Sequence, residues 1–138
     1  MPTEWLVDTN VLIDIIHDDP KFAEASTQAL ERCAESGILV INPVIYGEVG
    51  AICDSLEELD SLLPQELFRR DDLIWESSFL AGQAFRRYRK NKGQKKRVLA
   101  DFLIGAHASV AGFGLISRDA GYQKYFKLEL LNPANDVE

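Results

Sequence analysis

Four acidic residues stand where a chain can put carboxylates to use. Asp8 follows the apolar run Trp5-Leu6-Val7, Glu48 comes soon after Ile38-Leu-Val-Ile41, Asp119 follows Gly114-Leu-Ile-Ser117, and Asp101 sits inside a largely apolar stretch over 98–110. Carboxylates gathered without matching cations repel one another, and the usual resolution is a divalent cation with oxygen ligands, Mg²⁺ or Mn²⁺. An Asp in surroundings as apolar as those of Asp101 is expected to be partly buried and to need a partner: a capping hydrogen bond, a basic residue or a metal ion. Nitrogen and sulfur sites are disfavoured. The two histidines, His17 and His107, are far apart, and Cys33 and Cys53 lack ligand spacing and read as reduced core residues.

To converge, these carboxylates need elements that deliver them to one place. Each of the three runs is too short for a helix and rich in bulky or β-branched residues, which suits strands buried on both faces. After the first, Thr9 or Asn10 can cap a helix whose Val11, Leu12, Ile15 and Ile16 have helical spacing. After the second, Asn42 suits an N-cap and Pro43 the first helical position. Further helices are expected from Pro20 to Ser36, over 54–63, from Asp71 or Asp72 to about Asn91, and over 97–112, with an irregular link after Pro64 and an edge strand over 128–131. Ile74, Phe79, Leu80, Ala84, Phe85 and Tyr88 trace the apolar stripe of the long helix; Asp101, Gly105 and Ala108 set a carboxylate on a face of small residues. The pattern reads as α/β. In a parallel sheet with right-handed crossovers the carboxyl ends of the strands share one edge, where Asp8, Glu48 and Asp119 can meet and Asp101 can join them.

The 138 residues suit one domain spanning 1–138, and 46% hydrophobic with 27% charged residues is an ordinary globular balance. No apolar run approaches the roughly 20 residues that span a bilayer, and no basic region precedes an apolar core near Glu4, so a cytoplasmic protein is expected. The net charge of −7 hides an asymmetry: residues 1–76 carry 17 acidic and 4 basic side chains, residues 77–138 carry 5 and 11. Eight of those basic residues, Arg86, Arg87, Arg89, Lys90, Lys92, Lys95, Lys96 and Arg97, form a patch suited to a polyanion through phosphate contacts.

Four motifs, in this order and spacing, resemble the PIN-domain ribonucleases and, within them, the VapC-type toxins of toxin–antitoxin pairs. They are Leu6-Val-Asp8-Thr-Asn10-Val-Leu-Ile-Asp14, Asn42-Pro-Val-Ile-Tyr-Gly-Glu48-Val, Ala100-Asp101-Phe-Leu-Ile-Gly-Ala-His-Ala108, and Leu115-Ile-Ser117-Arg118-Asp119 leading to Tyr125-Phe126. The resemblance implies a PIN-like three-layer α/β/α fold with a central, mainly parallel sheet flanked by helices. It implies hydrolysis of RNA phosphodiesters at a catalytic, metal-holding site of Asp8, Glu48, Asp101 and Asp119. Asp8 and Asp101 ligate Mg²⁺ or Mn²⁺ directly, Asp119 directly or through water, and Asn10 and Ser117 orient the carboxylates. One ion acidifies the attacking water and a second stabilises the leaving oxygen in such sites, with Glu48 or Asp119 as proton acceptor; the number of ions here stays open.

The resemblance further implies an antitoxin partner that covers the site and a toxin homodimer; the apolar Ile15, Ile16 and Phe22 are candidates for the partner groove. The basic run from Arg86 to Arg97 is assigned to the RNA backbone from its charge alone. Two readings compete. A phosphatase with Asp8 as covalent nucleophile requires Asp-x-Asp-x-Thr, where Asn10 stands in place of the second Asp. A non-catalytic PIN-like module would bind RNA or a partner through the same acidic pocket.

Overall fold

Short apolar runs alternate with amphipathic segments along the chain, and that alternation builds a parallel sheet covered by helices. The structure is a computed structural model that describes residues 2–91 and 96–137. The order is β1 (Glu4–Val7), α1 (Thr9–Ile16), α2 (Ala23–Ser36), β2 (Ile38–Ile41), α3 (Pro43–Gly50), α4 (Leu56–Leu62), β3 (Phe68–Arg70), α5 (Trp75–Asn91), α6 (Leu99–Ala111), β4 (Gly114–Ile116), α7 (Tyr122–Tyr125) and β5 (Leu130–Leu131), followed by a 3₁₀ turn (Pro133–Asp136). The strands form one five-stranded sheet in the order β3-β2-β1-β4-β5, parallel at every pairing. The chain moves outward from β1 to β3 and then crosses back to β4. With right-handed crossovers this reversal distributes the helices over both faces, giving the three-layer α/β/α architecture.

The sheet centre is the core. Leu6, Val7, Val40, Ile41, Leu115 and Ile116 are at most 1% exposed, each contributing about 1.5–3 kcal/mol of burial free energy, which lets strands of three or four residues hold. On the far side an aromatic cluster of Phe85, Tyr88, Phe102, Tyr125 and Phe126 joins α5, α6 and α7. These rings are core, as their helical spacing indicates. Gly105 makes the joint close: a Cβ there would lie 2.5 Å from the Phe126 ring and 2.9 Å from Tyr122. The face of small residues on α6 is a packing surface for α7.

Several sequence expectations change. The link after Pro64 contains β3, an edge strand whose Phe68 alone is buried; two arginines beside it hide the strand pattern. The long helix starts at Trp75; of the expected stripe Ala84 is core and Leu80, Phe85 and Tyr88 pack on it, joined by the small Ser77 and Ala81, while Ile74 is 48% and Phe79 70% exposed. The small residues fit because α5 lies close against α6. The next helix begins at Leu99, behind an extended Val98 at its N-cap, which leaves Arg97 outside it. Among the described residues no helix is long and apolar enough to cross a membrane.

Candidate active site

The strand register aligns the site. Leu6 pairs with Val40 and Val7 with Ile116, so, two steps past the first pair and one past the second, Asp8 stands level with Asn42 after β2 and Ser117 after β4. The order in which the chain adds strands reverses between β1 and β4, and the carboxyl edge of open α/β sheets opens a crevice at such a switch point.

Asp8 itself, rather than Thr9 or Asn10, is the N-cap of α1. Its Oδ1 accepts from the Thr9 N–H at 2.8 Å, and its Oδ2 accepts from the Ser117 hydroxyl at 2.7 Å and from Asn10 Nδ2 at 3.1 Å. Asn10 also donates to Ser117 Oγ at 3.1 Å and accepts from the Arg118 N–H. Asn10 and Ser117 therefore orient the Asp8 carboxylate. Capping and site roles coincide in one side chain that is only 5% exposed. Burial is the main cause that pushes its pKa up from 3.8 to about 6, with the Glu48 charge adding to the rise and the hydrogen bonds from Ser117 and Thr9 opposing it.

Glu48, on the second turn of α3, accepts from the Thr9 hydroxyl at 2.7 Å, so α1 and α3 meet through that bond. Asp101, in the first turn of α6, accepts from the Val98 N–H at 3.1 Å, the capping bond that its position allows. Asp119 is tied to Arg97: Arg97 Nη2 donates to Oδ1 at 2.8 Å and Nη1 to Oδ2, while the Gly121 N–H reaches Oδ1 at 2.9 Å. The approach needs a glycine, since a Cβ on residue 121 would overlap the guanidinium. Arg97 is thus withdrawn from the basic patch, with its side chain 9% exposed against Asp119, a pairing its place in a charge run conceals. Arg86, Arg87, Arg89 and Lys90 remain exposed on the last turns of α5, as does Lys96; Lys92 and Lys95 lie outside the described residues.

Two residues were not singled out from sequence as parts of this site. Tyr122 is 2% exposed, and its hydroxyl, although it lies toward Asp8, makes no hydrogen bond of regular geometry. Burial, then the charges of Asp8, Asp101 and Asp119, hold this phenol well above its ordinary range, so three of the four carboxylates surround it. Its aromatic neighbours Tyr125 and Phe126 mask it as core. Asp14, 5% exposed on α1, accepts a two-pronged bond from Arg118 at 2.7 and 3.0 Å, and that guanidinium lies 4.1 Å above the Phe22 ring. Phe22 is thereby partly covered, and Ile15 and Ile16 pack on the core. Only a charged residue on an apolar helix face hinted at Asp14.

The donor set is chemically suited to a hard divalent cation: carboxylate oxygens, one buried phenol oxygen facing Asp8, and neither thiol nor imidazole among them. Among the described residues no group of three or more His, Cys, Asp and Glu side chains is spaced to hold one ion. The spacing is that of carboxylates held by Ser117, Thr9 and Arg97.

Comparison with known families matches residues 5–127 to the PIN domain family model. Among solved structures, VapBC2 from Rickettsia felis bound to a DNA fragment from its promoter aligns with a TM-score of 0.72 at 19% identity, over 94% of this chain and 98% of the other. A toxin–antitoxin complex from Klebsiella pneumoniae gives 0.63 at 22% identity, over 93% and 96%. VapC20 of Mycobacterium tuberculosis, a sarcin–ricin-loop-cleaving toxin, gives 0.59 at 11% identity, over 87% and 93%. Comparison with curated proteins returns no match.

Proposed function

The chain belongs to the PIN domain family, and from that premise we propose that it is a divalent-metal-dependent endoribonuclease, the toxin of a VapBC-type toxin–antitoxin pair. The observation that carries the proposal is Asp8, a buried carboxylate aimed by Ser117, Asn10 and Thr9 at the point where the strand order reverses, with Asp101 and Asp119 around the Tyr122 phenol that faces it and Glu48 beside it.

Asp8, Glu48, Asp101 and Asp119 would hold Mg²⁺ or Mn²⁺, which when bound supplies charge compensation and an acidified water for in-line attack on a phosphodiester. Ser117 and Asn10 keep both Asp8 oxygens in one orientation. Glu48, more open to solvent than Asp8, is the acceptor for the water proton, and the Thr9 hydroxyl holds it in place. Arg97 neutralises Asp119, so the pocket carries less net repulsion than four bare carboxylates would. The exposed basic turns of α5 draw the RNA backbone towards an otherwise acidic protein. The solved relatives include a toxin–antitoxin complex and a toxin that cleaves the sarcin–ricin loop, which supports an antitoxin partner and a nucleic-acid substrate. For the homodimer the best-supported surface is the apolar start of α5, where Ile74, Trp75 and Phe79 stand exposed together.

The test is digestion of total cellular RNA by partner-free protein with Mg²⁺, with Mn²⁺ and with chelator, beside Asp8→Asn and Asp101→Asn. Discrete metal-dependent fragments, absent from both variants, are the expected result. One observation favours the non-catalytic module instead: Arg97 already occupies Asp119. Metal binding by the folded protein without any cleavage would select that reading.

A further inference from the structure

The sheet edge holds a second arrangement that the carboxylate site does not use. Ile41 pairs with Arg70, so one step beyond the strands Asn42 stands level with Asp71, as Asp8 does with Asn42. Asp71 is then two strands, about 10 Å, along the edge from Asp8. A cavity of about 160 Å³ opens there, walled by Ile41, Asn42, Pro43, Tyr46, Arg70 and the Asp71–Asp72 pair.

A chain of hydrogen bonds through the interior aims one of those carboxylates. The Ile45 N–H donates to Asn42 Oδ1 at 2.9 Å, which turns the Asn42 amide nitrogen toward His107 Nδ1 at 3.0 Å. That ring nitrogen accepts, so the proton sits on Nε2 and is donated to Asp71 Oδ2 at 2.7 Å. Asn42 and His107 are each 2% exposed, so the chain is insulated from water up to its last member. Asp71 is half-buried at the cavity wall, and its Oδ1, like the Asp72 carboxylate, has no partner among the described residues. Part of the lining is a flat stack: the Arg70 guanidinium lies 4.8 Å over the Tyr46 ring, and both groups are anchored to Asp60.

A largely apolar lining with a stacked, flat Arg70–Tyr46 pair, whose guanidinium is already engaged by Asp60, and with the Asp71 and Asp72 carboxylates beside it, favours a flat ring with a donor edge. Guanine is the base whose Watson–Crick edge presents two adjacent donors, the ring N–H and the exocyclic amine, to a carboxylate. We propose that this cavity is a guanine-reading subsite, which takes a nucleotide close to the phosphodiester held at Asp8 and gives the enzyme its sequence preference. The inference rests on the ribonuclease reading for its role in cleavage, and on the cavity alone for guanine binding.

Two measurements separate these. Guanosine and adenosine are titrated into the full chain in chelator, followed by NMR of the His107 and Tyr46 rings. Guanosine is expected to shift both saturably and adenosine not; Asp71→Asn, which keeps an acceptor for His107, and Tyr46→Ala are each expected to weaken guanosine by about tenfold or more. In parallel, RNA oligonucleotides that differ in one guanine are cleaved by the wild-type protein and by both variants. Loss of the guanine preference, with cleavage of the other oligonucleotide kept, supports the subsite. Guanosine binding without cleavage of any RNA removes the nuclease reading and leaves the subsite standing. Cleavage blind to base identity, with no guanosine shift, overturns the subsite and makes the Asn42–His107–Asp71 chain a structural brace alone.

Discussion

At the scale of single residues, Asp8 carries the largest electrostatic consequence. Its pKa in the folded chain, about 6, lies above the ordinary 3.8, so the folded protein binds the proton more tightly and stability falls as pH rises from about 4 through 6. The full loss is about 3 kcal/mol at neutral pH. Asp8→Asn keeps the shape without the charge. In chelator, urea unfolding is expected to show the variant more stable than wild type at pH 7.5 and equal to it near pH 4. Tyr122 makes the complementary case. Its hydroxyl is buried without a regular partner, so Tyr122→Phe is expected to leave stability unchanged or raise it by up to about 1 kcal/mol, while RNA cleavage falls. Thermal unfolding and the cleavage rate, measured on the same preparation, check both halves.

At the scale of elements, the site is an arrangement of helix starts. Asp8 caps α1 and Asn42 caps α3 through Ile45 N–H, each directly after a strand, and Asp101 closes the first turn of α6, which follows α5. What locks α1 against the end of β4 is Arg118 on Asp14. Arg118→Ala leaves the Asp14 carboxylate buried without its cation, an expected loss of about 2–3 kcal/mol after allowance for the partial exposure of Arg118. Adding Asp14→Asn to that variant is expected to restore part of it, since the uncompensated charge is gone; denaturant midpoints of the single and double variants decide.

At the scale of the whole molecule, α5 divides its surface between two tasks. Its first turns expose Trp75 at 90% and Phe79 at 70%, and its last turns expose the arginines and Lys90. Contiguous apolar exposure of this kind marks an interaction surface, whereas scattered apolar side chains do not. Because Trp75 makes so little contact within its own chain, Trp75→Glu is expected to keep the fold and to convert a dimer to a monomer in sedimentation velocity. A monomeric wild-type protein at the same concentration would remove α5 as the dimer surface.

Much of this molecule was legible in one dimension. The buried strands and the Asn42-Pro43 helix start follow from the alternation of apolar runs with capping residues, because element type is set by neighbours within a few positions. A parallel sheet then brings strand ends to one edge whatever the details of packing. The tertiary structure alone decided which residues meet across long separations. Arg97 left the basic run for Asp119, His107 joined Asn42 to Asp71, and Tyr122, its ring in the core, turned its hydroxyl among carboxylates. It also packed the later turns of α5 through Phe85 and Tyr88 while leaving Phe79 near its start in solvent. Periodicity records which face of an element is apolar; it does not record which partner arrives on that face, how closely, or which charge it brings.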